Sequence, residues 1–261
     1  MQPSVSLPGQ QRRPVAGGIR SLASICSSGE QFVSSDAQSA ANALNLAAYF
    51  DDLYRPTERY WWRRGDPYSA DPDDYPTSLL TQLTLRVIRD RVPGRALDLG
   101  AGEGADSIRL ALLGYTVTAV EISEVACEKI KSFAAEAGVD VSVVSADIGA
   151  YRPEGQFNIV ICNGVLHYIR DKTRVIGLMQ EATSPGGLNI VSSWTTFSEV
   201  PPCHNSVPVY CDDENGIIAH AYASWTLKLK YFERDKAEAS HTGMPQHSHS
   251  HVKLIAEKPA P

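Results

Sequence analysis

Arg95-Ala96-Leu97-Asp98-Leu99-Gly100-Ala101-Gly102-Glu103-Gly104 joins a short apolar run to three glycines on alternate positions. The run 96–99 suits a strand buried on both faces, with its one acid, Asp98, near the C-terminal end. The residues that follow, 105–113, read as a helix. A tight strand-to-helix turn needs unusual φ/ψ values, and a ligand touches backbone only where no Cβ stands in the way. In an open α/β sheet ligands bind outside the carboxyl ends of the strands, which is where this loop is expected.

A dinucleotide site wants G-x-G-x-x-G, with a helix N-terminus facing a pyrophosphate. This loop is G-x-G-x-G, and Asp98 precedes the first glycine. A carboxylate there repels phosphate and attracts an ammonium. S-adenosylmethionine (SAM) carries a free ammonium and a sulfonium and has no phosphate. The residues Leu97-Asp98-Leu99-Gly100-Ala101-Gly102-Glu103-Gly104 resemble motif I of class I SAM-dependent methyltransferases. A purely structural βα turn is the plain alternative, because a glycine motif alone is weak.

At 261 residues the chain can bury one good-sized core with length to spare for an extension. The net charge of −6 and pI of about 5.6 provide no global basic field for nucleic acid or anionic membrane. No apolar run approaches a membrane span, and Met1-Gln2-Pro3-Ser4-Val5-Ser6 lacks the basic-then-apolar order of a secretory signal. Five scattered cysteines, with Cys127 in an expected helix and Cys162 in an expected core strand, read as reduced cytoplasmic thiols.

Residues 1–40, rich in Ser, Gln, Gly and Pro, read as a mobile extension with a short helix near 19–25. Segment 41–94 reads as a helical and aromatic cap, and 95–261 as the α/β domain. Within the cap, 39–53 has helical spacing, and Tyr54, Tyr60, Trp61, Trp62 and Tyr68 alternate with Arg55, Arg59, Arg63 and Arg64. Such a block can stack single-stranded bases, but the acids Asp71, Asp73 and Asp74 beside it oppose a phosphate path. It fits better over the cofactor, with Tyr60 shielding a cation and Arg63 meeting a carboxylate. Packing of the cap is the plain alternative. Pro76-Thr77-Ser78 opens a helix with the stripe Leu79, Leu80, Leu83, Val87 and Ile88, which Pro93-Gly94 ends. Beyond the glycine loop, strands are expected at 116–121, 139–144, 157–162, 187–193, 225–232 and 251–257. Helices are expected at 124–137, capped by Ser123 and stopped by Gly138, and at 171–182. Residues 198–222 form an irregular insert. The alternation predicts a seven-stranded, mostly parallel sheet of Rossmann-like class I methyltransferase type, with helices on both faces and a C-terminal antiparallel hairpin.

Four strand ends then converge on one ligand. Glu121, with Ile122 beside it, lies about 20 residues past the first glycine, where an acid accepts both ribose hydroxyls. Asp147 can accept from an adenine amino group while the Ile148 amide donates to a ring nitrogen. Asn163 offers a carbonyl to the ammonium and a side chain to the reacting region, and Asp98 reinforces the amino end.

The span from about 60 to 258 resembles the tellurite-resistance (TehB-like) branch of class I methyltransferases. The resemblance rests on Leu97-Asp98-Leu99-Gly100, Gly114-Tyr115-Thr116-Val117, Phe157-Asn158-Ile159-Val160, Ser184-Pro185-Gly186-Gly187-Leu188-Asn189-Ile190-Val191 and the C-terminal hairpin with His241 before its last strand. It implies cofactor contacts from Asp98, Gly100, Gly102, Glu121, Asp147, Ile148 and Asn163. The N-terminal extension, the Trp61-Trp62 block and the insert around 203–213 depart from the family pattern, and these would shape a substrate pocket.

His241, His247, His249 and His251 cluster late, and the last three share a face if the strand reaches back to them. Three imidazoles can bind zinc or copper, but with no Cys or acid evident to complete the set, no metal is expected, and Cys203-His204 with Cys211 is weak as a metal clip. His167 or His241 is a candidate general base, with Asn163 the third candidate catalytic residue. The expected activity is cytoplasmic methyl transfer from SAM to a small molecule, without nucleic acid or membrane partners. Two alternatives share the site. One is a SAM cyclase or lyase of the azetidine-2-carboxylate synthase type, which releases methylthioadenosine. The other is a non-catalytic SAM-sensing module.

Overall fold

The structure is a computed structural model that describes residues 35–60, 79–238 and 244–260. Trp61, Trp62, Arg63, Tyr68 and His241, with the expected helix near 19–25, lie outside the described residues.

The apolar run around Asp98 forms β1 (Arg95–Leu99), whose last four residues are buried. It pairs in parallel with β2 (Thr116–Glu121) on one side and β4 (Phe157–Asn163) on the other. Outward from these lie β3 (Val141–Ser145) and β5 (Thr183–Trp194), both parallel. β7 (His247–Glu257) runs antiparallel to β5, and β6 (Thr226–Glu238) antiparallel to β7, giving the order β3-β2-β1-β4-β5-β7-β6. Strand order reverses between β1 and β4, the crevice where such sheets take ligands.

Helices cover both faces. One apolar cluster packs Leu97, Leu99, Val160 and Val191 against α5 (Lys172–Ala182). The other packs Ala96, Ile159, Ile161 and Ile190 against α2 (Leu79–Ile88). α3 (Ala105–Leu112) follows the glycine loop, and α4 (Glu124–Ala137) starts at Ser123, whose side chain accepts from the Ala126 amide. Asp171 caps α5 in the same way.

Several boundaries differ from the sequence expectation, among them β5, which begins at Thr183 rather than near 187, and α2, which lies within the expected cap segment 41–94 yet packs on the sheet. α1 runs Ser35–Tyr54, so helix reaches into the segment expected to be a loose extension. The insert holds a 3-10 turn, Pro202–His204, and α6 (Ile217–Ala221), each too short for a periodic signal. The buried Asp212 carboxylate holds α6 in place by accepting from the Ile217 and Ile218 amides. The final hairpin is longer than expected at its inner end: β6 continues to Glu238 and β7 begins at His247. A register shift between Glu233 and Lys236, with Asp235 at φ 48°, breaks the alternation that pattern reading relies on.

Candidate functional site

Gly100 sits at φ +74°, and a Cβ there would meet the Val165 side chain at 2.5 Å. The bare backbone therefore lets β1 end against the loop after β4 and keeps the crevice between them open. The crevice is a cavity of ≈ 300 Å³ whose floor includes Asp98, Gly100, Gly102, Glu121, Ile122, Asp147, Ile148 and Asn163. The described cofactor candidates thus come together in one place. Tyr60 joins them from the cap, buried and edge-on to Tyr54 at 5.9 Å.

The cavity's cofactor end is acidic. Asp98 is buried, and its Oδ2 accepts from Ser107 Oγ at 2.7 Å. Burial, then the neighbouring Asp106, push its pKa up to about 8. Burial also raises the Glu121 pKa, against the pull of amide hydrogen bonds from Ser123, Gly102 and Ile122. Those bonds, 2.8 Å from the Gly102 amide and 3.0 Å from that of Ser123, tie the glycine loop to β2. Buried carboxylates facing a cavity suit a ligand that brings positive charge. This is the fit that SAM requires. Its ammonium would lie near Asp98, its ribose at Glu121 and its adenine by Asp147 and Ile148.

Asn163 differs from its expected use. Its Nδ2 donates to Asp106 Oδ2 at 3.0 Å, and its Oδ1 accepts from Ser192 Oγ at 2.7 Å. The amide thus bridges α3 and β5, and its side chain is engaged instead of being presented to the reacting region. Asp106, also held by Thr81 Oγ1 at 2.6 Å, is a cavity acid the sequence reading missed. Its position in the first turn after the glycine loop was the available signal. Ser192 and Trp194 were also missed, although both end a parallel strand, where ligands are expected.

Glu103 shows what the cap is for. It stands between two glycines of the G-x-G-x-G loop, and its side chain is fully buried. Its two oxygens accept from the Tyr60 amide at 2.9 and 2.8 Å, and Lys129 of α4 donates to it at 2.8 Å. Lys129 also donates to the carbonyls of Tyr54 and Thr57. The Asp51 carboxylate accepts from Ser123 Oγ and the Val125 amide. The cap is therefore latched onto the glycine loop and α4, and Tyr49, Phe50, Leu53 and Tyr54 of α1 wall the cavity.

The far end is aromatic and basic. Trp194 lies between two imidazoles, stacked on His167 at 4.0 Å and on His249 at 3.9 Å. Burial, then the neighbouring His251, His249 and His204, hold the His167 pKa well below its usual value, so its ring is neutral. Lys236, Lys253 and His251 complete this wall, and Lys253 pairs with Glu233 at 2.6 Å. The expectation of no metal rested on a missing acid or cysteine. The structure brings Glu238, opposite His247 in the hairpin register, and Cys203 to the histidine cluster. The extra residues of β6 that the sequence pattern hid carry that acid.

Among the described residues no helix is long and apolar enough to cross a membrane. Residues 93–238 match the family model described as "Methyltransferase domain". A ubiquinone biosynthesis O-methyltransferase from Thiobacillus denitrificans is 28% identical over 227 residues, covering 85% of this chain and 80% of that protein. The probable SAM-dependent methyltransferase TehB of Haemophilus influenzae is 29% identical over 111 residues, 42% of this chain and 39% of the relative. The crystal structure of TehB from Haemophilus influenzae superposes with a TM-score of 0.59 at 21% identity, covering 74% of this chain and 67% of that one. The Burkholderia thailandensis 1,6-didemethyltoxoflavin-N1-methyltransferase, solved with that substrate and S-adenosylhomocysteine, gives 0.59 at 18% identity over 88% of this chain and 93% of its own. With its acidic crevice at the β1/β4 switch point, the chain is similar to TehB in fold, belongs to the methyltransferase domain family and is a class I SAM-dependent methyltransferase.

Proposed function

We propose that the chain methylates a small-molecule acceptor in cytoplasmic, specialised metabolism. One observation carries this reading: the cavity continues past the cofactor residues to a separate wall of His167, Trp194, His204 and His249. That second wall supports a separate acceptor over a cofactor-only reaction or a sensor. The Trp194 face suits a planar acceptor, and the Lys236 and Lys253 ammoniums suit one with anionic character. Two similar proteins, the ubiquinone biosynthesis O-methyltransferase and the 1,6-didemethyltoxoflavin-N1-methyltransferase, support ring-bearing acceptors.

Bound SAM would supply an electrophilic methyl on a sulfonium. The protein's contribution is alignment and exclusion of water, which suffice for a good nucleophile in an in-line displacement. For a hydroxyl acceptor, His167 is the proposed hydrogen-bond partner: it lines the cavity and is oriented by its stack on Trp194, and burial, which keeps its ring neutral, makes it a weak base that takes the hydroxyl proton only as the methyl is transferred.

Incubation with SAM in the presence and absence of planar phenolic acceptors tests the proposal. S-adenosylhomocysteine formed only with acceptor is expected. Methylthioadenosine formed without acceptor would instead establish the cyclase or lyase, and tight SAM binding with no product a sensor. Trp194→Ala is expected to raise the acceptor KM while leaving S-adenosylhomocysteine affinity unchanged.

A further inference from the structure

His247 stands where two sets of donors meet. One set joins it to Cys203 and His204, the other to Glu238 and His249, and within each set the donor atoms lie within 4.8 Å of one another. The donors come from three pieces of chain: the 3-10 turn of the insert, the end of β6 and the start of β7. His247 and His249 share a face of β7, and Glu238 sits directly across from His247.

The spacing is informative. His204 Nε2 and His247 Nε2 are 3.4 Å apart, and His247 Nε2 is 3.6 Å from Glu238 Oε2. A good hydrogen bond from a ring nitrogen closes to about 3 Å. Two nitrogens bound to one tetrahedral zinc ion at about 2.0–2.1 Å stand about 3.3–3.4 Å apart.

The tautomer of His247 agrees. Its Nδ1 lies 2.7 Å from the Pro245 carbonyl, which can only accept, so Nδ1 carries the proton. That leaves the Nε2 lone pair directed at the other donors, the arrangement metal-bound imidazoles use. His204 and His249 are buried, and Trp194 stacks on His249, so these rings are held by packing.

We propose that His204, His247, His249 and Glu238 hold one divalent transition-metal ion of the zinc class at the acceptor end of the cavity. Three neutral imidazoles and one carboxylate form a donor set of borderline softness that suits zinc, cobalt or nickel better than magnesium or calcium. His204, Glu238 and His249 line the cavity, so the ion borders the acceptor space. With only one anionic ligand the four-coordinate ion retains a net positive charge and favours an anionic acceptor lying beside it. That last clause rests on the proposed methyl transfer; the metal site itself does not.

The test uses the full chain after treatment with a chelator. Titration with Co²⁺ is expected to produce the visible bands of a tetrahedral ion, saturating at one equivalent and abolished by Zn²⁺. Zn²⁺ at a hundredfold excess over its Kd is expected to raise the thermal midpoint by about 5–10 °C. His247→Asn and Glu238→Gln should each lose the bands, and Cys203→Ser should retain them. Absence of bands in the wild-type chain, their survival in both His247→Asn and Glu238→Gln, or their loss in Cys203→Ser would each overturn the proposed site. S-adenosylhomocysteine affinity, measured on the same samples, reports the cofactor half separately: its failure would count against the methyltransferase reading and leave the metal result standing.

Discussion

Asp98→Asn keeps the shape of the side chain and removes the charge that Asp98 would carry once an ammonium-bearing ligand is bound. In the unliganded protein burial and Asp106 push the Asp98 pKa up to about 8, so this carboxyl holds a proton at neutral pH. An ammonium-bearing ligand favours the ionised form, so binding must expel that proton. Each pH unit below 8 then costs the complex about 1.4 kcal/mol, or tenfold in affinity. Titration calorimetry of S-adenosylhomocysteine between pH 6 and 8 is expected to show affinity rising towards tenfold per unit. In two buffers of different ionisation enthalpy, nearly one proton should be released per ligand at pH 7. Methylthioadenosine lacks the ammonium and should show neither effect. In Asp98→Asn the slope should vanish. At pH 8 the affinity for SAM and S-adenosylhomocysteine alike should fall by about 1.5–3 kcal/mol, the usual worth of a hydrogen bond to a charged group. The deficit should shrink towards pH 6, where the wild-type side chain is itself neutral. The sign for stability follows from the same shift. Between the ordinary value of 3.8 and about 8 the folded chain binds a proton that the unfolded chain does not. The unliganded protein therefore loses stability as pH rises through that window. A pH-independent S-adenosylhomocysteine affinity, or equal losses for S-adenosylhomocysteine and methylthioadenosine in the variant, would refute the reasoning.

Glu121→Ala is expected to weaken SAM binding by about 1.5–3 kcal/mol through lost ribose contacts and the untied Gly102 amide, and wild-type affinity by calorimetry would exclude it from the site. Glu103→Ala leaves the Lys129 ammonium and the Tyr60 amide without their carboxylate, so denaturant unfolding should show about 3–5 kcal/mol less stability; an unchanged midpoint would mean that the latch does not hold the cap. Removal of residues 1–34, whose composition offers no apolar pattern to pack, should leave the thermal midpoint unchanged. Extending the truncation through residue 54 takes away the buried Tyr54 and its partners Phe50 and Leu53, and a midpoint still at the wild-type value would show that α1 does not dock.

The cofactor half was legible because its chemistry is local. Asp98, Gly100 and Gly102 are neighbours in the chain, and Glu121 and Asp147 are each found by a strand-end rule. The parallel core was legible because β1, β4 and β5 are apolar runs flanked by glycine or proline. The rest depended on long-range packing. Nothing near Glu103 in sequence reveals that it meets the Tyr60 amide 43 residues earlier. The Asn163 amide reads as a free polar end until Asp106 and Ser192 are seen on either side of it. The hairpin was cut short because its register shift between Glu233 and Lys236 destroys the period-two pattern, and the acid that completes the histidine cluster lies beyond that shift. Arg63 and His241 remain expectations from sequence.

The reversal of strand order at β1/β4 also divides the gene. Apart from α1 and the cap, the proposed cofactor contacts lie between residues 98 and 163, and the proposed acceptor wall between 167 and 253. The two sets are consecutive in the chain and do not interleave. A crossover between homologous genes near codon 164 would therefore hand a new acceptor wall to an intact cofactor half. The junction it must preserve includes the Asp106–Asn163–Ser192 bridge, the Ser192 contact to the Gly164 amide, the β4–β5 pairing and the packing of Val191, Ile190 and α5 against β1 and β4. Chimeras that keep those residues should inherit SAM affinity from one parent and acceptor choice from the other.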